Sequence, residues 1–326
     1  MIRIAVIGFG NVGQGFLELI MEKRDEIEKR IGKFKVIAIA DSKSSISGEF
    51  KLRDAIEFKR RTGRLPEDRN AIEVVEQEDY DVLVEATITD IKTGGDGLRY
   101  IKTALKKSSH VVTSNKGPLV VAFKELMDLA ERRGVKLMYE ATVGGVMPVI
   151  RLIKDYLAIC EIERIMGILN GTCNYILSRM EEERLPFNQV LSEAQELGIA
   201  EANPSYDIEG IDAAAKLVIL ANTIYRGDFR FEDVERIGIE SITPEAFEIA
   251  AKRGYTIRLI AEASENVLRV SPRLIPINHP LAIRGTMNAL MIKTDTAGNL
   301  VVMGRGAGRK ETATAMLSDL IEIYNS

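Results

Sequence analysis

Histidine and cysteine are nearly missing from this chain, with two of each in 326 residues, and tryptophan does not occur. Cys160 and Cys173 cannot make a disulfide framework, and no Cys or His spacing resembles a zinc site. His110 and His279 lie far apart in the sequence, so proton transfer at an active site falls to Lys, Asp or Glu. No apolar run approaches the roughly eighteen residues of a membrane-spanning helix. The chain enters a strand pattern at once, without a basic region and an apolar leader, and the expected location is cytoplasmic. Charge of one sign does not accumulate either. The 44 Lys and Arg interleave with 48 Asp and Glu for a net charge of −4, so neither nucleic acid nor an anionic membrane surface is an expected partner. Abundant Glu, Lys and Arg beside the missing Trp is a balance met in heat-adapted proteins.

The chain has the length of about two domains. Through the first 140 residues, apolar strand-like runs at 3–8, 35–41, 81–87, 110–114 and 136–142 alternate with amphipathic stretches such as 11–30 and 118–133. That rhythm predicts βαβ units, an α/β class with a Rossmann-type doubly wound parallel sheet. The polar interval 42–78 reads as an excursion with one or two helices. Beyond residue 142 the order changes to helices near 148–158, 174–183, 187–197 and 212–225, with strands at 161–169, 256–264, 267–277 and 289–296. A second, α+β domain for substrate binding and dimerisation is therefore expected over 141–299. The final strand at 300–304 and its following helix are expected to return to the dinucleotide domain, which would comprise 1–140 and 300–326.

Gly8-Phe9-Gly10-Asn11-Val12-Gly13 stands between the first strand and a helix, the context a dinucleotide fingerprint requires. The helix N-terminus there offers N–H groups to a pyrophosphate. Asp41 ends the second strand, where an acidic side chain holds the ribose 2′-hydroxyl of NAD, while Lys43 with Ser42 and Ser44 suits the 2′-phosphate of NADP. Both cofactors stay open at this point. Thr87, Ser114, Asn115 and Lys116 follow the third and fourth strands, at the carboxyl edge where such sheets bind ligands. A lysine is disfavoured at a helix N-terminus, which favours a functional reading of Lys116. Glu140 precedes Val143 and the pair Gly144-Gly145, a hinge or a place where carbonyls meet a hard cation. Asn170-Gly171-Thr172-Cys173-Asn174 follows a strand and opens a helix, either as a plain cap or as donors for a substrate carboxylate.

The most patterned segment is 194–216. Glu201, Asp207 and Asp212 gather negative charge around the Asn203-Pro204 turn, and Asp212 and Lys216 share a helix face. A small amphoteric molecule would find both of its charges answered.

Together these motifs resemble the homoserine dehydrogenase family. The family's signature is matched by Ala194, Gly198, Ile199, Ala200, Asn203-Pro204, Asp207-Ile208, Gly210, Asp212 and Lys216, and GFGNVG, TSNK, EATVGG and NGTCNY occur in the family's order. The resemblance implies an NAD(P)-dependent oxidoreductase that interconverts L-homoserine and L-aspartate 4-semialdehyde in threonine and methionine biosynthesis. It implies Lys216 as proton donor, Lys116 as a second active-site lysine and Asp212 beside them. Glu201, Asp207, Gly171 and Thr172 correspond to substrate contacts, and Gly308 to a glycine near the nicotinamide. Glu140 with the carbonyls of Val143, Gly145 and Met147 corresponds to a monovalent cation site for Na+ or K+, and the second domain to a homodimer interface. Glu311 stands where the family pattern has proline. No aspartokinase or C-terminal regulatory domain is evident, so feedback through such a domain is not expected. A rival class is an aspartate-semialdehyde dehydrogenase, with Cys173 as nucleophile but no neighbouring histidine to activate it. The other rival is a nucleotide sensor without chemistry.

Overall fold

The computed structural model, which describes residues 1–325, forms β1 from Ile2–Ile7, with Ile4 to Ile7 wholly excluded from solvent. The chain continues through α1 (Asn11–Glu22), α2 (Arg24–Ile31), β2 (Phe34–Ala40), β3 (Ser45–Ser47), α3 (Leu52–Thr62) and α4 (Ala71–Gln77). It then forms β4 (Val82–Glu85), α5 (Gly95–Lys106), β5 (His110–Thr113), α6 (Lys116–Arg133) and β6 (Leu137–Met138). The strands line up as β3-β2-β1-β4-β5-β6, all parallel except β3 against β2. Strand order reverses between β1 and β4, the switch point at which such sheets open a crevice beyond their carboxyl ends. β4 is buried at all four positions, as expected of a parallel strand covered on both faces.

Two expectations change in detail. The stretch 11–30 is two helices, because Lys23 adopts φ −108° and ψ 19° and breaks the ladder. The strand predicted over 136–142 stops at Met138, because Glu140–Thr142 coils into a tight 3-10 turn.

The second sheet arises from α7 (Val149–Arg151), β7 (Ile162–Ile168), α8 (Gly171–Glu183), α9 (Phe187–Glu196), α10 (Ser205–Ile208) and α11 (Ile211–Tyr225). β8 (Glu235–Arg236), α12 (Pro244–Lys252), β9 (Tyr255–Ser264), β10 (Val267–Pro276), β11 (Met287–Thr294) and β12 (Asn299–Arg305) complete it. Its order is β12-β11-β7-β9-β10-β8, antiparallel apart from β8 with β10. α8, α11 and α12 pack on β9. The strand expected to join the dinucleotide sheet is β12, and it belongs here instead. It pairs with β11 from Met287↔Arg305 to Lys293↔Asn299, since the short turn after Thr294 leaves an antiparallel neighbour as the reachable partner.

α13 (Arg309–Asn325) returns to the first sheet's side and buries Ala313, Met316, Leu317, Leu320 and Ile323 in the core that holds Phe16, Leu17 and Ile20 of α1. The chain thus divides into two compact units, Met1–Val146 with Gly308–Ser326, and Met147–Ala307. Among the described residues no helix is long and apolar enough to cross a membrane.

Within the second unit Arg258 of β9 is 1% exposed. Its guanidinium donates to Thr256 Oγ1 and Ile257 O at 2.7 Å, to Ile283 O at 2.8 Å and to Glu181 Oε2 at 2.8 Å. Removing one member of a buried, fully bonded pair leaves the other charge uncompensated. Arg258→Met is expected to cost about 3 kcal/mol, read as a lower urea midpoint, and an unchanged midpoint would refute this account.

Candidate active site

The fingerprint loop of the first unit is shaped by what its glycines exclude. A Cβ on Gly8, at φ +95°, would lie 2.4 Å from the Ala86 carbonyl, and one on Gly13 would lie 2.1 Å from Gly8 O. One glycine thus lets β1 turn beside β4, and the other lets α1 press onto the loop. A Cβ on Gly10 would meet nothing within 4 Å, so this position opens on free space at the start of α1, where a pyrophosphate would meet main-chain N–H groups. Asn11 is exposed and Val12 half-buried. Phe9 is 1% exposed in the core and its carbonyl accepts from Gln14 Nε2 at 3.2 Å, so its side chain serves packing. The loop fits the diphosphate of a dinucleotide.

Asp41 stands just past β2, and its carboxylate is already engaged. Oδ1 accepts from Lys43 N and Ser44 N at 2.8 Å, Ser44 Oγ lies 3.0 Å from both oxygens, and Lys59 Nζ donates to Oδ2 at 2.6 Å. Burial works against its charge, but the bonds from Lys59, Lys43 and Ser44 outweigh it and hold the carboxyl below the usual range. Lys59 carried no motif and escaped the sequence reading, because it reaches Asp41 only through the placement of α3.

Past β4 and β5 lies a second cluster. Thr87 and Asn115 both hydrogen-bond Glu85, and Asn115 caps α6 by accepting from Gly117 N at 3.0 Å. Ser114 and Lys116 flank this cap, both half-buried. Glu85 was not singled out from sequence, where it falls inside the strand-like run 81–87. Glu140 is 4% exposed and Val143 and Gly145 are buried, while Met147 begins the second unit. Among the described residues no three His, Cys, Asp or Glu side chains gather as a metal site. Gly308, at φ +136°, has the Glu311 carboxylate where its Cβ would point, 2.2 Å from Oε2.

In the second unit one asparagine organises the carboxylates. Asn170 Oδ1 caps α8 by accepting from Cys173 N at 2.8 Å, which leaves its amide hydrogens for Asp207 Oδ1 at 2.6 Å and Asp212 Oδ2 at 3.0 Å. The plain-cap reading and the site reading of this motif are thus both true of the same side chain. α11 is apolar almost throughout and buried from Asp212 to Asn222, so Asp212 and Lys216 enter it only as a pair. Lys216 Nζ donates to Asp212 Oδ2 at 2.6 Å and to Leu169 O at 2.7 Å. An ammonium has three hydrogens, so one remains for a ligand. Gly171 and Thr172 lie at the start of α8, with Thr172 Oγ1 bonded to Ile199 O at 3.1 Å. Glu201 is exposed, just ahead of the turn.

Burial, reinforced by the charge of Asp212, pushes the Asp207 carboxyl up from its ordinary value against the hydrogen bond from Asn170. The Cys173 thiol is raised far more, by burial first and by Asp207 and Asp212 next. It donates to Asp207 O at 3.1 Å. A thiol so buried and so weakly acidic is inert as a nucleophile, which removes the basis of the acylating alternative.

A fingerprint loop on a parallel sheet, with a lysine–carboxylate cluster on a second α+β unit, defines an NAD(P)-dependent oxidoreductase. Comparison with known proteins narrows this. The homoserine dehydrogenase family matches residues 148–321, and the homoserine dehydrogenase NAD binding domain matches residues 8–140. A homoserine dehydrogenase of Methanocaldococcus jannaschii is 48% identical over 99% of this chain and 98% of its own length. A crystal structure from Archaeoglobus fulgidus, provisionally given that name, is 66% identical with a TM-score of 0.97 and covers 100% of both chains. A hyperthermophilic archaeal homoserine dehydrogenase in complex with NADPH is 33% identical, with a TM-score of 0.86 over 98% of this chain and 97% of that one. The chain belongs to the homoserine dehydrogenase family.

The raised Asp207 carboxyl has a consequence for stability. The folded chain binds this proton more readily than the unfolded one, so the residue's contribution is complete below the ordinary carboxylate value of about 3.9 and is lost as pH rises through the folded value. Asp207→Asn keeps the acceptor for Asn170 and removes the charge. It is expected to raise the thermal midpoint at about pH 8 by a few degrees, with the gain vanishing near pH 3.5. A gain that persists unchanged in acid would contradict the assignment.

Proposed function

We propose that this protein interconverts L-homoserine and L-aspartate 4-semialdehyde, a step of amino-acid biosynthesis. The observation that carries this reading is the buried cluster of Lys216, Asp212, Asp207 and Asn170 within a chain of this family. When bound, the nicotinamide cofactor supplies or accepts the hydride. Lys216, fixed by Asp212 and Leu169 O, directs its remaining hydrogen at the substrate oxygen, where charge grows in the reducing direction and a proton is finally needed. Asp212 holds the ammonium in place through its 2.6 Å contact, and Lys116 is the second lysine of the reaction. Exposed Glu201 and half-buried Asp207 receive the substrate ammonium, while the main-chain N–H groups of Gly171 and Thr172 at the α8 N-terminus take its carboxylate.

The same reading extends to the ligands and assembly. Asp41 spends its oxygens on its own loop and on Lys59, so a ribose hydroxyl would compete with bonds already made. Lys59 cancels the charge of Asp41, which leaves Lys43 as the positive charge that a 2′-phosphate requires, and we propose a preference for NADP over NAD. Glu140 with the carbonyls of Val143 and Gly145 is the proposed seat of Na+ or K+.

The homodimer is proposed through the sheet face of the second unit that α8, α11 and α12 do not cover. Directly opposed residues share a face, which places Val301, Met291 and Met166 in one row, while Ala289 and Ile168, opposite Met303 in the next, are already buried in the unit's own core. Val301 and Met303 are 41% and 58% exposed there.

Lys216→Ala is expected to lower kcat for homoserine oxidation about a hundredfold or more, with NADPH binding intact. Full turnover in that variant would sink the role. Lys59→Ala is expected to raise KM for NADP about tenfold by leaving the Asp41 carboxylate uncompensated beside the 2′-phosphate, with little effect on KM for NAD. An unchanged ratio of the two KM values would refute the proposed preference.

A further inference from the structure

Glu85 is fully buried, at the carboxyl end of β4, and among the described residues its side chain accepts hydrogen bonds only from neutral groups. Oε1 receives Thr87 N at 2.9 Å, the Thr87 hydroxyl and Asn115 Nδ2 at 3.3 Å, and Oε2 receives the Thr113 hydroxyl at 2.6 Å. The donors come from the ends of β4 and β5 and the loops beyond them, and no lysine, arginine or histidine stands among them. A Cβ on Gly97 of α5 would lie 3.2 Å from Glu85 Oε1 and 2.4 Å from Asn115 Nδ2, so α5 closes over the carboxylate on that side. The carboxylate is closed off from solvent and meets four donor contacts from the surrounding strand ends and loops.

Such an arrangement is more than a strand end needs. Thr or Asn at this position would bond the same hydroxyls without burying a charge, and burying a charge opposes folding unless something gains from it. The position suggests what gains. In a doubly wound sheet, the half beyond the switch point receives the far end of the dinucleotide. Here that half is β4-β5-β6, and Thr87 and Asn115, which hold Glu85, edge its crevice. The nicotinamide ring carries a positive charge when oxidised and none when reduced. A fixed anion in a medium of low polarity therefore distinguishes the two forms, while the rest of the dinucleotide is the same in both.

We propose that Glu85 is a positioning residue whose charge favours the oxidised over the reduced nicotinamide. It acts through the field it sets at the carboxyl edge and through Thr87 and Asn115, which it holds in place. The proposal rests on the NAD(P) dependence stated above. A change of relative affinity for the two forms shifts the equilibrium between bound reactants and bound products, with no contact between Glu85 and the substrate. Lys116, one residue past Asn115, adds a charge of opposite sign to the same edge, so the contribution of Glu85 must be isolated by its own substitution.

The test measures binding without turnover. NADPH is titrated by its own nicotinamide fluorescence, and NADP+ is titrated by displacing it. Glu85→Gln is expected to weaken NADP+ about tenfold while NADPH stays within about twofold, the scale of one charge interaction at an intermediate dielectric. Glu85→Asp, which keeps the charge, is expected to restore most of the ratio. Equal weakening of both forms in Glu85→Gln would show a purely structural role and overturn the proposal. As a safeguard against misfolding of that variant, the unaltered protein is compared with NADP+ and with an isosteric dinucleotide whose ring is an uncharged benzamide. Tighter binding of NADP+ supports the proposal, and equal binding overturns it. Failure of the unaltered protein to bind either NADP form would overturn the cofactor assignment itself, an outcome distinct from an unshifted ratio.

Discussion

The burial of charge inside apolar elements is the constraint from which most of this protein's chemistry follows. α11 is a helix that belongs in a core, yet it carries Asp212 and Lys216 one turn apart and nearly out of solvent. Neither charge is tolerable there alone. Each is held by the other, by Leu169 O and by the Asn170 amide, which also caps α8. The need to satisfy these groups fixes the end of β7, the start of α8 and the turn before α11 relative to one another. The cluster proposed to hold the substrate is thus the same set of bonds that makes the helices compatible.

The first unit solves a related problem in two ways. At Asp41 the carboxylate is partly solvated and matched by a cation, so its charge is locally cancelled and the adjoining space suits a further anion. At Glu85 the carboxylate is buried and met only by neutral donors, so its charge is stabilised but not cancelled. The first arrangement gives little field beyond itself, and the second projects one. Two acidic residues at the ends of β2 and β4, the strands on either side of β1, would thereby take opposite roles in the proposed cofactor site.

Much of this was legible in the chain. The fingerprint glycines are readable because each forbids a side chain for a steric reason local to the β1–α1 turn. The segment 194–216 is readable because Asp212 and Lys216 sit at a helical spacing inside an apolar run, where only a pair survives. Other features were not. β12 was expected in the dinucleotide sheet because strand, glycine turn and helix there repeat the rhythm of the first unit. Its hydrogen-bonding partner is decided by the hairpin from β11, which strand periodicity alone does not reveal. Lys59 and Glu85 were passed over because their partners, Asp41 on one side and Thr87, Thr113 and Asn115 on the other, come from separate strands and loops.

The sequence by itself determined the two kinds of architecture, the presence of a dinucleotide loop and the lysine–carboxylate cluster, since each depends on residues close in the chain and on the exclusion of other side chains. Only the tertiary structure decided which carboxylates keep an effective charge. That depends on how many donors reach an oxygen, and on whether any of them is a cation. Those donors are delivered by strands and helices whose register is set by packing across the whole unit.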